Sequence, residues 1–171
     1  MDISKFTSRD EIVKLIKPGG VGVELGVAEG KFSEKLLRDS QLKHLYSIDM
    51  WAGDRGHDDA QYEVACKRLT GFGERNTVLR MRFDEALPRF ENDFFDFIYI
   101  DGYAHTGQDE GQTLHEWFPK LRAGGIFAGD DYSEKYPKTI EQVDRFAALQ
   151  GLQLHIIKDW NGHHSWVVFK G

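Results

Sequence analysis

The chain has 171 residues, a length that suits one domain with a sizeable core, residues 1–171, with residues 1–19 as a small N-terminal cover. Its formal charge is −6 at pH 7 and no lysine/arginine block stands out, which argues against nucleic acid as a partner. Cys66 is alone, so there is no disulfide framework and no thiolate zinc site; the polar, acidic start MDISKFTSRDE reads as neither a signal peptide nor a membrane span, and a cytoplasmic protein is expected.

Ser8-Arg-Asp-Glu11 has the S-x-x-E pattern of a capping box, Ile12, Val13, Leu15 and Ile16 follow at helical spacing, and Pro18-Gly19-Gly20 ends the segment. The next stretch organises the chain. Val21 to Ser33, VGVELGVAEGKFS, starts as an apolar strand, turns through Gly26 and Gly30, and enters a helix near Lys31. Two glycines in such a turn keep side chains away from a ligand, and the first helical N–H groups face it. The spacing is E-x-G-x-x-x-G, not the G-x-G-x-x-G of a pyrophosphate cradle. Glu24 ends the strand and Glu29 lies in the turn. An acidic turn suits a ligand with a cationic end, such as the amine and sulfonium of S-adenosylmethionine (SAM). An ordinary tight turn between strand and helix is the plain alternative.

His44–Asp49, HLYSID, predicts the second strand and ends in Asp49, 25 residues after Glu24. In open α/β sheets, ligands sit at the carboxyl ends of the strands. An acid there can accept both ribose hydroxyls of an adenosine, with Met50 and Trp51 placed to cover the adenine; a core role for Trp51 is equally open. Gly53–Asp59, GDRGHDD, is a polar loop in which His57, Asp58 and Asp59 could imitate a metal cluster. A helix follows over 60–69 with Tyr62, Ala65, Cys66 and Leu69 inward, then a third strand over 77–81 and a short helix from Phe83 with acids in its first turn.

Phe94–Ile100 is nearly continuous apolar sequence, as in a strand buried on both faces, and ends in Asp101-Gly102. A helix is expected within 106–121, its polar first half open to a loop reading. Arg122-Ala-Gly-Gly125 predicts a tight turn into a fifth strand over 126–129, which ends in Asp130-Asp131-Tyr132. Pro137–Gln150 predicts a helix stopped by Gly151. Strands over 152–158 and 165–170 complete the chain, joined by a hairpin at Asn161-Gly162.

The stretches VELGVAEGKFS, YSIDMW and FDFIYIDG…WFPKLRAGGIFAGDDY together resemble class I SAM-dependent methyltransferases. They are closest in kind to the small bacterial O-methyltransferases that use a divalent metal and modify sugars and antibiotic precursors. The resemblance covers Gly20 to Lys170. It implies an α/β, Rossmann-like methyltransferase fold: a seven-stranded, mostly parallel sheet of order 3-2-1-4-5-7-6, with an antiparallel terminal hairpin and helices on both faces. It implies SAM held by Glu24, Gly26, Glu29, Gly30, Asp49, Met50, Trp51, Phe83 and Asp101. It also implies a metal site at Asp101, Asp130 and Asp131. Three carboxylates in one cleft call for a hard ion, magnesium first, with manganese or calcium as substitutes.

The implied activity is transfer of a methyl group to a hydroxyl of a small molecule, a sugar or a phenol, with the ion orienting and acidifying the acceptor. The base does not carry over: Tyr103 stands where some sugar-modifying relatives have an aspartate, and Ala104 where catechol-type relatives have a lysine. His105, four residues past Asp101, is the first candidate, with Tyr103, His163 and His164 as competitors. The chain lacks the longer N-terminal lid of many relatives, which leaves an open acceptor site or one completed by another copy in a homo-oligomer. A metal-independent enzyme, a degenerate SAM-binding protein and an NAD-dependent oxidoreductase remain as alternatives.

Overall fold

A computed structural model of the protein describes residues 3–52, 57–102, 109–160 and 162–171. Its strands are β1 (Val21–Leu25), β2 (His44–Asp49), β3 (Asn76–Arg80), β4 (Phe95–Ile100), β5 (Leu121–Gly129), β6 (His155–Ile157) and β7 (Ser165–Phe169). The α-helices are α1 (Lys31–Asp39), α2 (Asp59–Leu69), α3 (Phe83–Ala86), α4 (Gln112–Trp117) and α5 (Pro137–Gln150), with short 3-10 turns between. The strands form one sheet of order β3-β2-β1-β4-β5-β7-β6. β1 to β5 are parallel, and β7 runs antiparallel to both β5 and β6. This is the expected sheet, strand for strand.

The period-2 alternation of β4 explains why its run is apolar on both faces. Phe97 and Tyr99 enter a core layer with Phe32, Leu36 and Leu37 of α1 and the N-terminal turn. Ile98 and Ile100 enter a second layer with Trp117 of α4 and Val143 and Phe146 of α5. Asp96, the one acid in the run, is used by the backbone: its Oδ2 accepts from Val21 N at 2.7 Å.

Several boundaries differ from the expectation. The N-terminal cover is a 3-10 helix, Arg9–Leu15, and its cap is displaced: Glu11 Oε2 accepts from Thr7 N at 2.8 Å, while Ser8 Oγ accepts from Asp10 N at 3.3 Å. α4 begins only at Gln112 because Gly111, at φ 82°, is left-handed. β5 begins at Leu121, so the expected tight turn over 122–125 lies within the strand. Gly124 N donates to Lys170 O at 2.7 Å and Lys170 N to Gly125 O at 3.0 Å, which joins that stretch to the chain beyond β7. Of the hairpin pair, Gly162 is left-handed and Asn161 lies outside the described residues.

Gly26 carries the tightest constraint. It has φ +96°, and a Cβ there would fall on the carbonyl of Asp101. Gly26→Ala should therefore cost more than the ~1–3 kcal/mol of its backbone conformation alone. Thermal melting checks this against Gly71→Ala, where the added methyl meets nothing within 4 Å and no shift is expected.

Candidate active site

The carboxyl ends of β1, β2, β4 and β5 lie side by side and carry Glu24, Asp49, Asp101 and Asp130. Gly26 N donates to Ile48 O at 2.8 Å and Asp101 N to Leu25 O at 2.7 Å, so the turn after β1 is wedged between its neighbours. Asp49 serves that turn directly. Its Oδ2 accepts from Val27 N at 2.9 Å and Ala28 N at 3.0 Å, and its Oδ1 from Trp51 N at 3.2 Å. Ala28, Trp51 and Asp131 are left-handed at φ 48°, 40° and 61°, a conformation that side chains disfavour. All three follow the carboxyl ends of strands, and such strain clusters at functional sites.

Two cavities open on this edge. One, of about 380 Å³, is lined by Asp49, Met50, Arg82, Phe83 and residues of α4. The other, of about 430 Å³, is lined by Arg9, Glu24, Gly26, Glu29, Asp101 and Gln61, among others. His57 lines both, with Nδ1 3.8 Å from Asp49 Oδ2. The cavities thus flank the ends of β1 and β2, as two halves of one elongated ligand would require. Gln61 lines the second cavity, and its side-chain oxygen is buried with no hydrogen-bond partner.

Glu24 is buried, and its Oε2 accepts from the Ser33 hydroxyl, which is 2.8 Å from Ser47 Oγ. Burial pushes its carboxyl up to about 8 despite that hydrogen bond. Glu29 is half-buried and paired with Lys31 at 2.6 Å, so its charge is already met. Gly30 caps α1 in a left-handed conformation. Met50 and Phe83 line the first cavity, and the Phe83 ring packs so closely on Gly102 that a Cβ there would overlap it. Trp51 differs from the adenine-covering expectation. Its ring is fully buried against Tyr62, and its indole donates to Ala28 O at 2.9 Å, because the left-handed backbone turns the side chain under the β1 turn. Of His57, Asp58 and Asp59, Asp58 caps α2, accepting from Gln61 N, and Asp59 pairs with Arg80 at 2.6 Å.

The expected metal site is not formed. Arg9 lies between two of its members: Nη1 donates to Asp101 Oδ2 at 2.6 Å and to Asp130 Oδ2 at 2.7 Å. Asp130 Oδ1 accepts from Ser165 Oγ at 3.2 Å. Asp131 is engaged by a different group, its Oδ1 3.0 Å from His163 Nδ1. Asp130 and Asp131 both lie beyond the end of β5, and Asp131 leaves it in a left-handed conformation, at φ 61°. Among the described residues no group of three or more His, Cys, Asp or Glu could hold a metal. Burial and the facing Asp130 push Asp101 up to about 7, with Arg9 opposing them. Tyr103 and His105 lie outside the described residues.

Sequence reasoning missed Arg9 and Gln61. Arg9 stands 92 and 121 residues from its partners and carries no local signal. Gln61 is marked only by its place on the first turn of α2.

Fold and site define a class I SAM-dependent methyltransferase. The chain belongs to the family described as methyltransferase domain, whose pattern it matches over residues 23–132. No curated protein matches it by sequence. Among solved structures, the precorrin-6y C5,15-methyltransferase of Geobacter metallireducens is similar at a TM-score of 0.73 and 12% identity, covering 100% of this chain and 97% of that one. The O-methyltransferase of Bacillus cereus, solved with S-adenosylhomocysteine (SAH), gives 0.69 and 16%, with 94% and 79% covered. The spermidine synthase of Thermotoga maritima gives 0.68 and 16%, with 95% and 59% covered. At such identities the likeness is one of fold. No helix among the described residues is long and apolar enough to cross a membrane.

Because Glu24 is held above its ordinary value of 4.5, the folded state binds its proton more tightly than the unfolded chain. Its contribution to stability is complete below about 4.5 and is lost as pH rises through about 8. Glu24→Gln should flatten the stability profile across that window, measured by denaturant melts of the ligand-free protein at a series of pH values.

Proposed function

We propose that the protein moves the methyl group of SAM to a hydroxyl of a small molecule, a sugar or a phenol. The observation that carries the cofactor half is the pair of cavities meeting at His57, each with an acid at a strand end. In this reading Asp49, Met50 and Phe83 hold the adenosine, and Asp49 takes the ribose hydroxyls. Glu24, the Gly26 backbone and Asp101 face the methionine half, where a bound amine and sulfonium would favour the ionised form of Glu24 that burial disfavours in the ligand-free protein. Glu29 and Gly30 shape the turn, and Trp51 supports it from beneath.

When bound, SAM supplies an electrophilic methyl group, so an acceptor oxygen forms the new C–O bond as the C–S bond breaks and SAH leaves. The hydroxyl proton must go to a base. His105 and Tyr103 are the candidates that follow Asp101 in the chain. Among the described residues His163 is a further candidate, an imidazole oriented by Asp131 with Nδ1 3.0 Å from its Oδ1. Magnesium, expected from the resemblance, finds no fitting donor set, and no step is assigned to it.

Calorimetry should show SAM and SAH binding at one site. Asp49→Ala removes a carboxylate that accepts charge-assisted hydrogen bonds, a loss of ~1.5–3 kcal/mol, so SAM affinity should fall about 10- to 100-fold. Unchanged affinity would remove the ribose assignment. Incubation with a panel of hydroxylated sugars and phenols should release SAH. Binding with no SAH from any acceptor would leave a SAM-binding protein without this activity.

A further inference from the structure

The guanidinium of Arg9 sits where a cation between the ends of β4 and β5 would sit. One nitrogen, Nη1, reaches both Asp101 Oδ2 and Asp130 Oδ2, at 2.6 and 2.7 Å. Those are short, charge-assisted distances. The position is built. The Arg9 guanidinium carbon lies 4.9 Å over the Phe32 ring, and Phe32 packs on Tyr99 with ring centroids 4.5 Å apart. Asp130 is fixed from its other oxygen by Ser165, whose hydroxyl is also 3.2 Å from Tyr99 Oη. Arginine stays charged under all working conditions. A magnesium ion would need oxygens at roughly 2.0–2.1 Å in near-octahedral order. Reaching both Oδ2 atoms would require expelling the guanidinium, and Asp131 is already engaged by His163.

We propose that Arg9 is the resident cation of this site: it holds Asp101 and Asp130 together in place of a divalent ion, and the protein binds its cofactor and works without metal. The part that concerns methyl transfer rests on the functional reading above; the cation site itself does not. Arg9 is a positioning residue in this scheme. It also lines the cavity given to the methionine half, so it ties the N-terminal 3-10 turn to the rim of that cavity.

The test is manganese binding by electron paramagnetic resonance on metal-stripped wild type, Arg9→Ala and Arg9→Lys, with SAM calorimetry in chelator and in millimolar magnesium. Wild type and Arg9→Lys should take up no manganese. Arg9→Ala should gain one site, be destabilised in chelator, and recover melting temperature when manganese is added. A merely structural arginine would not be exchanged for a metal in this way. SAM affinity of the wild type should agree within about twofold between the two buffers. Stoichiometric manganese on the wild type that Asp130→Asn removes would overturn the proposal, as would SAM binding tightened about tenfold or more by magnesium. If Arg9→Ala does not fold, those wild-type measurements still decide. Failure of SAM to bind in either buffer would overturn the functional reading, while the manganese result would still decide the cation site.

Discussion

The backbone of Gly26 lies against the carbonyl of Asp101, and the carboxyl edge of the sheet is arranged around that contact. It brings the turn after β1 onto the end of β4, with room for hydrogen and nothing larger. The same closeness recurs one residue on, where Gly102 admits the Phe83 ring from beyond β3. Two glycines thus allow three separate strand ends to reach one cleft. Non-glycine residues beyond β1, β2 and β5, namely Ala28, Trp51 and Asp131, take up further curvature as left-handed backbone. A packed core on both faces of the sheet can sustain such conformations, since the penalty is local and the burial is collective.

Bringing strand ends together also brings acids together, and the structure resolves the repulsion in three different ways. Glu24 is buried where its neutral form is favoured, and it hands its remaining polarity to a hydroxyl of α1. Asp49 accepts three backbone N–H bonds and so is held by dipoles. Asp101 and Asp130 share one guanidinium. The resemblance to metal-using methyltransferases rests on the identity of the acids and cannot distinguish among these solutions. What separates them is the partner of each carboxylate, and every partner comes from another part of the chain.

That explains what was legible in the sequence. Strand β2 and helix α5 were read residue for residue, because a period of two or 3.6 is a local signal and Pro137 and Gly151 mark the helix ends. The sheet order followed from the resemblance, and the acids at the strand ends from the topology. Asp49 was expected to face a ribose, and its hold on the turn went unforeseen because that bond joins β2 to β1. Trp51 could be read equally well as adenine cover or core; its φ of 40°, invisible in the letters, turned it inward. The late start of α4 follows from the left-handed residues Glu110 and Gly111, of which only the glycine was a visible warning. Arg9 was read as the second residue of a capping pattern, and nothing near it in sequence said otherwise.

Two arginines near the strand ends, Arg80 and Arg9, show how the fold separates its acids by task. Arg80 lies over the Tyr62 ring at 4.9 Å, and Tyr62 packs on Trp51; Arg80 donates to Trp51 O at 2.7 Å. Arg9 lies over Phe32 at the same 4.9 Å, and Phe32 packs on Tyr99. Each stack of arginine and two rings supports one strand end, but the charges are spent differently. Arg80 meets a carbonyl and Asp59, and Asp49 is left to the backbone N–H groups of its own and the neighbouring turn. Arg9 meets Asp101 and Asp130 themselves. An acid held by backbone N–H groups can still take a ligand hydroxyl on a remaining lone pair, whereas a pair of acids clamped on a guanidinium cannot give up its cation without leaving two part-buried carboxylates unpaired. The β2 end is therefore suited to take and release a ligand, and the β4–β5 end to stay as it is while that happens.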